Sequence, residues 1–350
     1  MGMKQVTWHT RRRAASKLTE DRRVLAVSRL VAAVLAGVAA ALPAQAQDWP
    51  SRPVSVIYPW PPGGGTDTMM RMVADRLSRQ LGQQFIIDVR AGASGTIGSE
   101  IAAKARPDGY TLVMSGLPSH VVAPAYSGAP YDSMKDFSHI ALLGGSPVVL
   151  AVHPEFEAKT LQQYIELSRA KPDGIAFGSP GTGSFVHLAG ERFRQLSGAK
   201  LLHVPYKGLP PVAVDLIAGH IPSAFMTLAG GGTGPLHRAG KVRLLAIATP
   251  GRVAGFSEVP TFSEGGYKDL VASTWFALSG PAGLQRAVVM RLNAEVRAAL
   301  AQPEIYNRLL ADGIGIEPRD LDPDGFTRFF QAEIERWAPL ARAAKTGASK

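Results

Sequence analysis

No cysteine occurs among the 350 residues, which excludes disulfides, thiolate nucleophiles and cysteine-held zinc or iron–sulfur sites. No apolar run reaches the roughly 20 residues that a membrane-spanning helix needs. The nearest, Leu30 to Leu42, has 13 residues and ends at Pro43. After residue 46 there is no Lys/Arg block with interleaved aromatics, so nucleic acid is not an expected partner. There is no G-x-G-x-x-G fingerprint, no Walker lysine, no H-E-x-x-H and no G-x-S-x-G elbow. Dinucleotide, phosphate-loop, zinc-protease and hydrolase-elbow chemistries therefore lack motif support. His187 and Glu191 stand four apart on one helical pattern, but two ligands are too few for a metal, and neither metal nor cofactor is expected.

What is present begins with a leader. Arg11, Arg12, Arg13, Lys17, Arg22, Arg23 and Arg29 form a basic stretch ahead of Leu30–Leu42, and Ala44-Gln45-Ala46 has the small-x-small form of a cleavage site. Export to the periplasm and a mature start at Gln47 are expected. The Arg22-Arg23 pair leaves Sec and twin-arginine routes both open. The whole chain carries a formal charge of +10; removing the leader's 8 basic and 2 acidic residues leaves 30 against 26, or +4. That mild excess favours anionic solutes.

Short Val/Ile/Leu-rich runs alternate with amphipathic segments in the remaining chain, the pattern of an α/β architecture with mainly parallel strands. Strands are predicted at 54–58, 85–89, 111–115, 140–143, 148–152, 175–177, 202–204, 223–226, 242–248 and 275–279. Helices are predicted at 67–81, 97–105, 161–170, 185–197, 211–218, 285–300, 303–312 and 323–344. No linker separates domains, so boundaries follow from how elements group: a first lobe over 47–150, a second over 151–275, and a helical return to the first over 276–350. The chain is expected to cross between lobes near Val149–Val152 and Ser273–Gly280, as in hinge-bent binding proteins.

Two glycine-rich turns stand out: Pro59-Trp60-Pro61-Pro62-Gly63-Gly64-Gly65-Thr66-Asp67 and Gly178-Ser179-Pro180-Gly181-Thr182-Gly183-Ser184. Each follows an apolar run and opens a helical pattern. Such joints aim unpaired N–H groups and the positive end of a helix dipole outward, which suits an anion. Side-chain-free Gly63, Gly64 and Gly65 would let a carboxylate approach the backbone, with Asp67 capping the helix. The second turn adds the hydroxyls of Ser179, Thr182 and Ser184, with His187 one turn into the helix. Neither turn carries Lys or Arg. Solvated loop residues would look the same, and His203-Val204-Pro205-Tyr206-Lys207-Gly208 reads as a surface turn.

Taken together, Trp49–Pro53, Pro59–Asp67, Arg90–Gly98, Pro107–Leu112, Gly181–Glu191, His203–Gly208 and Trp275–Gly283 resemble the solute receptors of tripartite tricarboxylate transporters, the Bug receptor family, over essentially the whole chain after the leader. The resemblance implies a two-lobed periplasmic binding protein fold, type II-like, whose loops hold a carboxylated solute and present it to a membrane permease. Carried onto this sequence, the ligand loops are Trp60, Pro62, Gly63, Gly64, Gly65, Thr66 and Asp67 in one lobe and Ser179, Gly181, Thr182, Gly183, Ser184 and His187 in the other. One departure matters. Where many members carry a Phe-Asp-Asn-like segment lining the pocket, this chain has Phe225-Met226-Thr227. Losing that carboxylate removes the partner of an ammonium group, so the resemblance with this departure implies a mono- or dicarboxylate or an aromatic acid, not an amino acid. Pro62 and Phe185-Val186 make the site more apolar. A monomer is expected. Two further readings remain open: a receptor serving a sensor, and a periplasmic enzyme using Ser179 or Ser184 with His187.

Overall fold

The computed structural model describes residues 49–315 and 321–347. The expected leader over 1–46 lies outside the described residues. Strands β1 (Val54–Tyr58), β2 (Phe85–Val89), β3 (Thr111–Gly116), β4 (Phe137–Val152), β5 (Ile175–Ser179), β6 (Leu201–Pro205), β7 (Ser223–Thr227), β8 (Arg243–Ile247) and β9 (Ser273–Pro281) join in the order β2-β1-β3-β9-β4-β7-β5-β6, with β8 also paired to β4. Central strands are almost wholly buried while the edges β2 and β6 are mostly not, the burial expected when helices cover both faces of a sheet.

The strands are mixed, not mainly parallel. β1 pairs parallel with β2 and β3, and β5 with β6 and β7; β3 with β9, and β4 with β7, β8 and β9, are antiparallel. Each parallel group is a set of strand–helix–strand units. β4 and β9 thread antiparallel between them, and an apolar run carries no sign of strand direction.

The runs 140–143 and 148–152 belong to one strand. β4 pairs with β9 from Phe137 to Pro147, then with β7 and β8 from Val148 to Val152. The joint is Gly144-Gly145-Ser146-Pro147. A Cβ on Gly145 would lie 2.6 Å from the Thr274 carbonyl oxygen, so only glycine lets the two through-strands approach this closely. Proline and glycines make the sequence look broken where the chain passes from one half of the sheet to the other.

Each half of the sheet has its own core. Val54, Val56, Met69, Val73 and Leu77 pack with Leu292 and Val296 of the Arg286–Leu300 helix and Leu309 of the Pro303–Ala311 helix. Phe177, Phe193, Phe225 and Phe262 fill the other half on one face, and Val149, Val212, Leu216 and Phe256 on the opposite face. The Pro323–Gly347 helix bridges the halves. Its Phe330 is fully buried and stacks on His139 of β4 at 4.1 Å, while Trp337 meets Phe185 edge-on at 4.9 Å.

Two buried histidines lie beneath that helix. His120 pairs through Nδ1 with Ser119 Oγ at 2.9 Å, His139 Nδ1 lies 3.4 Å from Ser279 Oγ, and both Nε2 atoms are buried without a partner. Burial pushes His120 down from 6.5 to about 3 and His139 to about 4, the neighbouring His139 also lowering His120. Groups neutral when folded and protonated when unfolded withdraw stability as pH falls from about 6.5 towards their folded values. The urea midpoint should therefore drop steadily between pH 7 and pH 4.5, and the slope should shrink in His120→Leu. A flat midpoint over that window would contradict the neutral buried pair.

Candidate functional site

A cavity of about 550 Å³ opens between the two halves of the sheet. Four helices begin on its wall: Gly65–Leu81, Thr96–Ala103, Phe185–Ser197 and Leu209–Ile217, with Gly64, Gly95, Ser184 and Gly208 as their N-caps. They are not equal as anion donors. Pro210 and Pro211 remove N–H groups from the last. In the first, Gly65 N–H is taken by the Ala229 carbonyl at 2.8 Å, whereas Thr66 and Asp67 N–H have no acceptor among the described residues. In the third, Ser184 Oγ accepts from His187 N–H at 3.2 Å, leaving Phe185 and Val186 N–H without an acceptor among the described residues. The first and third helix ends therefore keep free donors towards one space.

Of the residues expected at the site, Trp60, Gly63, Thr66, Ser184 and Thr227 line the cavity. Trp60 stands edge-on to Tyr58 and to Phe276, at 5.8 and 5.4 Å, and the three make an aromatic wall. Thr66 Oγ1 and the buried Tyr58 hydroxyl share a hydrogen bond of 2.9 Å. Thr227 Oγ1 accepts from Gly230 N–H at 3.0 Å.

The remaining expected residues sit elsewhere. Phe225 is fully buried, with Phe177 and Phe193 at 5.5 and 5.7 Å, so its ring belongs to the core and not to the pocket. Pro62 and Thr182 are exposed outside the lining. Asp67 does not cap: the helix starts earlier, at Gly65, and the carboxylate of its third residue reaches back to Gly63 N–H at 3.2 Å and accepts from Arg71 Nε at 2.9 Å. Gly64 and Gly65 are small to admit the protein's own chain. A Cβ on Gly64 would lie 2.8 Å from Gly231 N, and one on Gly65 would lie 3.0 Å from Asp312 Cβ.

Ser179, Gly181, Gly183 and His187 shape the second turn from behind. Gly183 N–H donates to His187 Nδ1 at 3.1 Å, and Gly181 N–H to Ser179 Oγ at 3.2 Å. Ser179 Oγ also pairs with His203 Nε2 at 2.6 Å, and the two imidazoles lie 4.0 Å apart. Burial lowers His187, against the opposing pull of Glu191; burial and then His187 lower His203 to about 4. Both rings are neutral near pH 7. The serine and histidine expected to combine as a catalytic pair, Ser179 or Ser184 with His187, share no side-chain hydrogen bond; Ser179 is fully buried, and among the described residues no carboxylate pairs with its partner His203.

Three stretches of the wall lie outside the ligand loops expected from the sequence. Ala91–Gly95 lies within Arg90–Gly98 and places Ala93 and Ser94 at positive φ, 46° and 57°, an uncommon state for residues with a side chain. Tyr206–Pro210 extends the turn first read as surface. Gly230 and Gly231 follow β7 and precede the Thr233–Arg238 helix, repeating the strand–turn–helix signal of the two loops. Among the described residues the lining holds no Asp, Glu, Arg or His, and its one charged residue is Lys207. Among the described residues no group of three or more His, Asp or Glu could hold a metal, and no helix is long and apolar enough to cross a membrane.

Two lobes of mixed α/β structure around a cleft walled by helix N-termini define a solute-binding protein of the periplasmic type. Residues 69–345 match the family described as tripartite tricarboxylate transporter family receptor. The chain is 36% identical to protein BugT of Bordetella pertussis over 93% of its own length and 98% of that protein. Among solved structures it is similar to MatC of Rhodopseudomonas palustris with bound malate, at TM-score 0.77 and 30% identity, covering 84% of this chain and 100% of that one. R. palustris Rpa4515 with adipate gives TM-score 0.77 and 32% identity over 85% and 98%. The protein belongs to the tripartite tricarboxylate transporter receptor family, the Bug proteins, whose members are periplasmic solute-binding proteins.

Proposed function

We propose that this protein is an exported receptor that holds a small carboxylate lacking an ammonium group in the cleft and delivers it to the permease of a tripartite tricarboxylate transporter. The observation that carries this reading is the cavity itself: free donors at the Thr66–Asp67 and Phe185–Val186 helix ends with no acidic side chain in the lining. An amino acid would bring a cation with no anionic partner, and burying it unpaired is costly. The malate and adipate held by the two R. palustris relatives support a carboxylate. Trp60, Gly63, Thr66, Ser184 and Thr227 border the ligand in this reading, while Gly64, Gly65, Gly181, Gly183 and His187 hold its loops.

In this reading the role is binding and not catalysis: Ser184 Oγ caps its helix and Ser179 Oγ braces the turn, so neither is arranged as a nucleophile with His187. The lobes divide at Gly144–Pro147, just before the expected crossing at Val149–Val152, and at the start of β9 within the expected Ser273–Gly280, and the receptor works as a monomer after cleavage at Ala46.

A thermal-shift panel of mono-, di- and tricarboxylates, amino acids and aromatic acids tests this. A ligand at about a thousand times its Kd adds about 4 kcal/mol to stability, a shift easily seen. Carboxylates without nitrogen should give the largest shifts. Aspartate or glutamate outperforming their deaminated counterparts would overturn the assignment.

A further inference from the structure

Among the described residues the cavity's charge rests on one side chain. Lys207 is exposed, lines the cavity, and makes no hydrogen bond or ion pair with any described residue. The backbone carrying it is held on both sides: Tyr206 N–H donates to the Ser179 carbonyl at 2.9 Å and Gly208 N–H to the Pro180 carbonyl at 3.2 Å. The Tyr206 hydroxyl donates to Asp215 Oδ2 at 2.6 Å, and His220 occupies Asp215 Oδ1 at 3.2 Å, so this carboxylate is engaged by residues other than Lys207. The turn also meets the opposite lobe, since a Cβ on Gly208 would lie 2.8 Å from Pro61 Cγ. A fixed main chain thus carries a single uncompensated ammonium at the point where the two lobes touch across the cleft.

We propose that Lys207 is the specificity-determining residue that favours ligands with a second anionic group over monocarboxylates. The proposal rests on the reading of the cleft as a carboxylate site. Free N–H groups at the two helix ends satisfy one carboxylate without any positive side chain, and the aromatic wall of Tyr58, Trp60 and Phe276 takes the apolar middle of the ligand. A second carboxylate buried there would otherwise lose its hydration without a counter-charge. Lys207 supplies that charge with three donors on a flexible stem, which accommodates diacids of differing length better than a rigid guanidinium fork would.

Calorimetric titration of the purified protein with adipate and suberate, each against the monoacid of equal length, hexanoate and octanoate, tests this. The parent protein should prefer the diacids. Lys207→Gln should weaken diacid binding about fivefold while monoacid binding stays within about twofold, as expected for one charge-assisted contact at an exposed position. Lys207→Arg should keep the preference for diacids. An unchanged ratio of diacid to monoacid affinity in Lys207→Gln overturns the role of Lys207 while leaving the carboxylate site standing. A parent protein that binds neither class overturns this inference, while the carboxylate site then stands or falls with the wider thermal-shift panel. The exposed position leaves folding unaffected, which equal melting temperatures of the unliganded proteins would verify.

Discussion

Phe225→Ala lowers folding stability by about 3–5 kcal/mol, the usual cost of deleting a buried phenylalanine, and leaves ligand affinity nearly unchanged where the protein is still folded. The ring has no exposed surface and sits among Phe177, Phe193 and Phe262, and Gly190 is small where a Cβ would come within 3.0 Å of it. Truncation leaves a cavity that neighbouring aromatics cannot collapse into. Denaturant unfolding and a binding isotherm on the same sample separate the two effects. A large loss of affinity with stability intact would return Phe225 to the pocket, where the sequence had put it.

Gly183→Leu acts the other way and loses about a hundredfold or more in affinity. Gly183 has φ of 75°, and a Cβ there would stand 2.3 Å from two ring carbons of Tyr126, on the short Ala123–Ser127 helix. A leucine must displace that ring or move the turn. Moving the turn breaks the Gly183 N–H bond to His187 Nδ1 and shifts the Phe185 and Val186 donors, and a displacement of about 1 Å is enough to remove well-aligned hydrogen bonds. Tyr126→Ala in the same chain removes the clash and should restore part of the affinity, whereas the unfavourable φ persists. Full affinity in Gly183→Leu would mean that this turn does not shape the site.

Most elements were legible because their signals are local. The strands 54–58 and 85–89 and the helices 161–170 and 185–197 coincide with the ranges periodicity predicts, and the structure shows Thr160 and Ser184 capping the two helices and Gly198 ending the second. Strand direction and the unity of β4 were hidden, since both depend on pairing with β9, more than 120 residues further along the chain. The short helices Ala123–Ser127 and Thr233–Arg238 are too brief to show a period.

The free donors at the two glycine-rich joints could be seen in the chain because a strand–turn–helix joint determines them locally. Which glycines face a ligand could not, since this depends on distant partners: Gly64 against Gly231, Gly65 against Asp312, Gly181 against the Tyr206 carbonyl. Lys207 was hidden for the same reason. Only the fold carries the His203–Gly208 turn onto the wall of the cleft.

The most direct test of the account is a crystal structure of the protein with the acid that stabilises it most. The account predicts one carboxylate in the cleft with its oxygens about 2.7–3.2 Å from backbone N–H groups among Thr66, Asp67, Phe185 and Val186. The same acid bound outside the cleft, or inside it with its carboxylate turned away from both helix ends, would contradict it.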